Sequence, residues 1–146
     1  MAEDTDPSSK TILTVDDDDT VQELMRMLLT REGFRVQTAT SGAAALERLK
    51  TSGRQIDLVV LDMMMPNEGG YETIKKMQQP EYQQVPVIVV TAREMDSGTV
   101  NMIKLESNVK GYEKKPVVPK IFAEKIHGIL GTTPKPKAKD VWEDGR

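Results

Sequence analysis

The stretch VPVIVV, residues 85–90, is where the fold is decided. Five of its six residues are β-branched, and there is no alternation of apolar with polar. Such a run suits a strand buried on both faces, as in a parallel sheet covered by helices. Outward from it, short apolar runs recur at residues 12–15, 34–36 and 58–61, with a weaker one around residues 111–113. Helical stretches separate them. The alternation predicts a doubly wound α/β fold with five parallel strands and five helices. The flavodoxin-like strand order 2-1-3-4-5 is the expected arrangement, although chain order alone does not establish it.

The helices are read from apolar spacing. Val21, Leu24, Met25, Leu28 and Leu29 mark one face of the first, with Thr20 and Glu23 at capping-box spacing and Gly33 as its stop. The second starts near Ser41, buries Ala45, Leu46 and Leu49, and ends at Ser52 and Gly53. The third runs from about Tyr71 to Gln79, where Pro80 halts it. The fourth, between Met95 and Ser107, places only Val100 and Ile103 on one stripe. The fifth presents Val118, Phe122, Ile126 and Ile129 and stops at Gly131.

The 146 residues fit one domain, with residues 1–10 expected as a flexible arm, 11–131 as the domain and 132–146 as a tail or linker start. No apolar run approaches the ~18 residues of a membrane helix. The polar, acidic amino terminus is unlike a secretory signal. Zero cysteines leave neither disulfides nor thiolate metal sites and fit a reducing cytosol, so a cytoplasmic protein is expected. A net charge of -3 and 4% aromatic residues argue against direct nucleic-acid binding, which needs basic surface and stacking rings.

In open parallel sheets, ligands bind at the carboxyl ends of the strands. Asp16 and Asp17 follow the first strand, Asp62 the third, Thr91 the fourth and Lys115 the fifth. Three close carboxylates repel one another and require a cation. An oxygen-only set with room for waters suits Mg2+ better than a preformed Ca2+ cage. With metal and ammonium neutralising charge, one carboxylate can act as a nucleophile toward a phosphoryl group, and a hydroxyl can donate to its oxygens.

The run ILTVDDDD, then VVLDMMMP with Gly70 eight positions after Asp62, then VIVVTA and GYEKKP resembles the receiver domain of bacterial response regulators over about residues 11–130. The resemblance implies that Asp62 is the phosphoacceptor. It implies that Asp16 and Asp17 hold Mg2+ with Asp62 and the backbone carbonyl of Met64. Thr91 would sense the phosphoryl group, Lys115 would pair with it and Tyr112 would be the aromatic switch. The Lys115–Pro116 bond is expected to be cis. The implied partners are a sensor histidine kinase or phosphotransfer protein as donor and a downstream protein on the face formed by the fourth helix, fifth strand and fifth helix. The chain would be an acceptor, not an enzyme. Two features depart from the pattern or tune it: SNVKGY replaces the usual small-residue turn before the last strand, and Met64 and Arg93 flank the phosphoryl position.

Other readings compete. Asp18 and Asp19 read as caps of the first helix. An EF-hand fails, because counting from Asp16 places Val21 at the required glycine and Met27 at the terminal glutamate. Residues 63–65, all Met, read as packing. Lys114 reads as surface charge, and Tyr112 as switch or ordinary strand aromatic. His127 falls on the polar side of the fifth helix with no partner pattern. Trp142 is a docking contact or has no specific role. An aspartyl-phosphate phosphohydrolase would place an acid two residues after its nucleophile, where Met64 stands. A phosphorylation-independent interaction module would have no need of all five site residues.

Overall fold

A computed structural model describes residues 5–52, 55–63, 69–92 and 96–134. Five strands, β1 (Thr11–Val15), β2 (Arg35–Ala39), β3 (Leu58–Asp62), β4 (Val87–Thr91) and β5 (Val109–Lys114), form one parallel sheet in the order β2-β1-β3-β4-β5. Between and after them run α1 (Asp19–Arg31), α2 (Gly42–Ser52), α3 (Gly70–Lys76), α4 (Ser97–Lys104) and α5 (Pro119–Leu130). The expected fold class and strand order are those of the structure. No helix among the described residues is long and apolar enough to cross a membrane.

Period-two geometry splits β1, β3 and β4 between two cores. Ile12, Leu58, Val60, Ile88 and Val90 meet Met25 and Leu29 of α1 and Phe122 and Ile126 of α5. Leu13, Val59, Leu61 and Val89 face the other way, onto Ala45 and Leu49 of α2, Ile74 of α3 and Ile103 of α4. β1, β3 and β4 are buried along their whole length, so VPVIVV reads as it does because helices cover both its faces.

Several local expectations are corrected. The cap of α1 is Asp18, whose carboxylate accepts from the amides of Thr20 (2.8 Å) and Val21 (3.2 Å), rather than a Thr20–Glu23 box. Leu24 is 61% exposed, whereas Gln22 is buried with Met25 and Leu29. The third helix ends at Lys76, before Pro80 is reached, because Met77 turns into the core and caps it. Val118 is 55% exposed and sits at the N-cap of α5 instead of on its buried face. Gly33 (φ 103°) and Gly131 (φ 68°) end α1 and α5 in the left-handed region that favours glycine. Before β1, Asp6 caps a 3-10 turn at Pro7–Ser9, Pro7 is buried, and the Thr133 amide donates to the Thr5 carbonyl at 2.9 Å.

His127 is the largest departure. It is 5% exposed, with Nδ1 2.7 Å from Thr132 Oγ1, Nε2 2.9 Å from Glu32 Oε1, and its ring 4.9 Å from that of Phe34. The expectation of a polar-side residue with no partner fails because Glu32 lies 95 positions away in the chain. In the SNVKGY segment, Asn108 is buried, accepts from Gln78 Nε2 at 2.7 Å and offers its carbonyl to the Val87 amide.

Candidate functional site

The strand ladder of β1 stops at Val15, and the chain bends so that two consecutive carboxylates turn toward one point. In a continuing strand they would face opposite sides of the sheet. Asp18 in turn caps α1, and its amide donates to Asp16 Oδ1 at 2.9 Å. Asp62 is the last residue of β3 and Thr91 the last of β4. Lys115 follows β5 directly; its amide donates to the Thr91 carbonyl at 2.8 Å, and the Lys115–Pro116 bond is cis, as expected.

The side chains converge. Asp16, Asp17 and Asp62 each bring a carboxylate oxygen within 4.8 Å of the others. Lys115 Nζ lies 2.6 Å from Asp16 Oδ2 and 3.7 Å from Asp62 Oδ2. Asp16 and Asp62 are each 5% exposed and Thr91 is fully buried, whereas Asp17 is exposed. The site therefore has a dry floor and an open mouth. One ammonium against three carboxylates leaves a local charge of about -2, and the donor set is entirely oxygen. These residues fit a hard divalent cation.

Gly70 explains its own spacing from Asp62. Its amide donates to the Met63 carbonyl at 3.3 Å, and a Cβ there would lie 2.7 Å from Met63 Cα and 2.9 Å from the Asp62 carbonyl oxygen. Only a glycine lets α3 start against the end of β3 without displacing the strand that carries Asp62.

Of the remaining expected site residues, Tyr112 is half-buried on β5, registered against Val89, with Lys104 Nζ 6.0 Å from its ring centroid. It belongs to the α4 side of the sheet. Met64, Arg93 and Trp142 lie outside the described residues. Sequence reading missed Gln22, whose buried amide binds the carbonyl of Asp16 at 3.0 Å. The signal was present: Gln22 stands three residues before Met25 and seven before Leu29, on the buried stripe. An apolar groove of about 1130 Å³ runs between α1 and α5 past Leu24, Leu28 and Ala123 and reaches Lys115 and Pro116.

Known proteins share this fold. The model of the response regulator receiver domain family matches residues 12–127. The chain is 35% identical over 119 residues to the transcriptional regulatory protein AfsQ1 of Streptomyces coelicolor, covering 82% of this chain and 50% of that protein. It is 40% identical over 119 residues to the transcriptional regulatory protein CpxR of Escherichia coli, covering 82% and 48%. The chain thus spans about half the length of the curated relatives it matches. Among solved structures, a CheY-like receiver domain protein from Methanospirillum hungatei superposes with a TM-score of 0.72 at 28% identity, covering 84% of this chain and 95% of that one. Chemotaxis protein CheY4 of Vibrio cholerae shares the fold with a TM-score of 0.74 at 24% identity, covering 83% and 98%.

Proposed function

The chain belongs to the response regulator receiver family, and on that premise we propose that it is a phosphorylation switch whose acceptor is Asp62. The observation that supports this most strongly is the meeting of three carboxylates within 4.8 Å at one sheet edge, with Lys115 against two of them.

The phosphoryl donor is a phosphohistidine on a histidine kinase or phosphotransfer protein. An Asp62 carboxylate oxygen attacks phosphorus, the new O–P bond forms, and the P–N bond breaks. Its electron pair stays on the imidazole nitrogen, which takes up a proton. Asp16, Asp17, Asp62 and the backbone carbonyl of Met64 are the groups that would hold Mg2+; when bound, the ion supplies positive charge to the phosphoryl oxygens. Lys115, beside Asp16 and Asp62, would supply a second positive charge, and Thr91 would donate its hydroxyl to the transferred group. The dry floor under Asp62 strengthens these interactions relative to water. Water later cleaves the O–P bond, releasing phosphate and restoring the carboxylate. The protein acts as an acceptor, not as an enzyme on a separate substrate.

The output is contact with another protein on the face of α4, β5 and α5. Met102 and Leu105 expose apolar surface there, and α4 contributes only Ile103 to the core, so it is the element most easily moved. Thr91, the last residue of β4, and Tyr112, on β5, would carry the change from the site to that face.

Intact-mass measurement after incubation with acetyl phosphate and Mg2+ tests the acceptor. Wild type and Asp18→Asn should gain one phosphoryl group and Asp62→Asn none; a persistent gain in Asp62→Asn overturns the assignment, and undiminished labelling in EDTA overturns the metal. Beryllofluoride should alter amide exchange in α4 and β5 more than in α1 and α2. Thr91→Ala should reduce that response while remaining phosphorylatable.

A further inference from the structure

Bringing Asp16 and Asp17 to one point has a backbone cost. Once the ladder ends at Val15, the Asp16 carbonyl leaves the sheet yet remains buried, and a buried carbonyl needs a donor. The donor comes from α1. Gln22 is 7% exposed, and its Nε2 lies 3.0 Å from the Asp16 carbonyl, 2.7 Å from that of Ala39 and 3.2 Å from that of Thr14. The amide cannot rotate freely, because Thr14 Oγ1 donates to Gln22 Oε1 at 2.6 Å. Two amide hydrogens are thus shared among three carbonyls, while the oxygen is pinned by the Thr14 hydroxyl on β1.

The rest of Asp16 is equally held. Its amide donates to the Ala39 carbonyl at 3.1 Å, Oδ1 accepts from the Asp18 amide at 2.9 Å, and Oδ2 accepts from Lys115. Of these anchors, the carbonyl contact is the one that fixes the peptide joining Asp16 to Asp17, and so the direction in which Asp17 leaves the bend. A side chain with a methyl-terminated end in place of the amide would leave that peptide free to turn.

We infer that Gln22 is a positioning residue for divalent-cation binding, setting the Asp16–Asp17 peptide so that both carboxylates reach one ion. This rests on the reading of the acidic cluster as a Mg2+ site. Outer partners that orient metal ligands govern affinity without touching the ion, and their loss weakens binding about 10–100-fold.

The test uses the full chain, 15N-labelled and titrated with Mg2+ alone. Gln22→Met keeps the side-chain length and removes the amide, and should weaken Mg2+ binding by about ten-fold or more. Ile126→Val, in the core on the same sheet face, serves as the control for general destabilisation and should leave affinity at the wild-type level. In wild type, the Gln22 side-chain amide protons should exchange slowly with solvent and shift with the same Mg2+ midpoint as the Asp17 backbone amide. That measurement decides the matter if Gln22→Met fails to fold. Wild-type affinity in Gln22→Met, an equal loss in Ile126→Val, or Gln22 side-chain signals indifferent to Mg2+ overturns the inference while leaving the metal site intact. No binding by wild type overturns the metal site itself, and the inference with it.

Discussion

Replacing Lys115 by Met removes the ammonium but keeps most of the stem, so the change isolates charge. In the folded protein the ammonium is 2.6 Å from one carboxylate oxygen and 3.7 Å from another, with the lysine and both acids largely withdrawn from water. At an effective dielectric near 20 the two attractions are about 6 and about 4 kcal/mol before desolvation is subtracted. Removing one partner of a buried ion pair commonly costs about 3–5 kcal/mol, because the remaining charge stays buried. Here the mouth is open at the exposed Asp17, so solvent relieves part of that, and a loss of about 2–3 kcal/mol is expected without metal. For a chain of this size that lowers Tm by on the order of 10 °C. Thermal and urea denaturation followed by circular dichroism, in EDTA and in Mg2+, measures it. Wild type should gain about 2.7 kcal/mol at Mg2+ 100-fold above its Kd. Lys115→Met should gain more, because the ion then replaces a missing cation, and the gap between the two proteins should narrow. Equal stabilities in EDTA, or a gap that Mg2+ leaves unchanged, would refute the view that Lys115 neutralises the acidic cluster.

Three further outcomes are expected. Gly70→Ala should destabilise by roughly 1–3 kcal/mol and slow acetyl-phosphate labelling, since its Cβ would press on the backbone at Asp62 and Met63; an unchanged urea midpoint and labelling rate would show that α3 shifts freely. His127→Ala should cost roughly 2–4 kcal/mol in urea denaturation through two lost hydrogen bonds and a cavity between α1 and α5, with Mg2+ affinity unaffected. The Asp96 carboxyl, which caps α4, is held below its ordinary 3.8 by the backbone amide of Thr99 and then by the Thr99 hydroxyl. Its contribution is therefore complete above that ordinary value and lost as pH falls through the lower folded one. Amide exchange at Thr99 and Val100 should accelerate over that acid range, and Asp96→Asn should remove the pH dependence.

The layered architecture was legible because burial on two faces imposes a composition that no other placement tolerates, and VPVIVV meets it. The site was legible for a related reason. In a parallel sheet the carboxyl ends of the strands lie along one edge, so Asp16, Asp17, Asp62 and Lys115 converge once five strands are recognised, with Thr91 at the end of β4. Gly70 carried its message as a spacing; the physical cause, a helix starting against a strand end, needed coordinates.

Gln22, Leu24 and His127 show where linear pattern stops. Periodicity at 3.6 residues marks a helix face, but a face has edges, and α1 meets the sheet rotated enough to bury Gln22 and leave Leu24 at the rim of the groove beside α5. Which polar group is tolerated inside depends on acceptors brought from elsewhere. Gln22 is satisfied by carbonyls on β1, at the bend after it and at the end of β2, and His127 by Glu32 and Thr132. Hydrophobic burial is set by composition along the chain, whereas a hydrogen bond requires two particular atoms within about 3 Å, and that proximity exists only after the chain has folded.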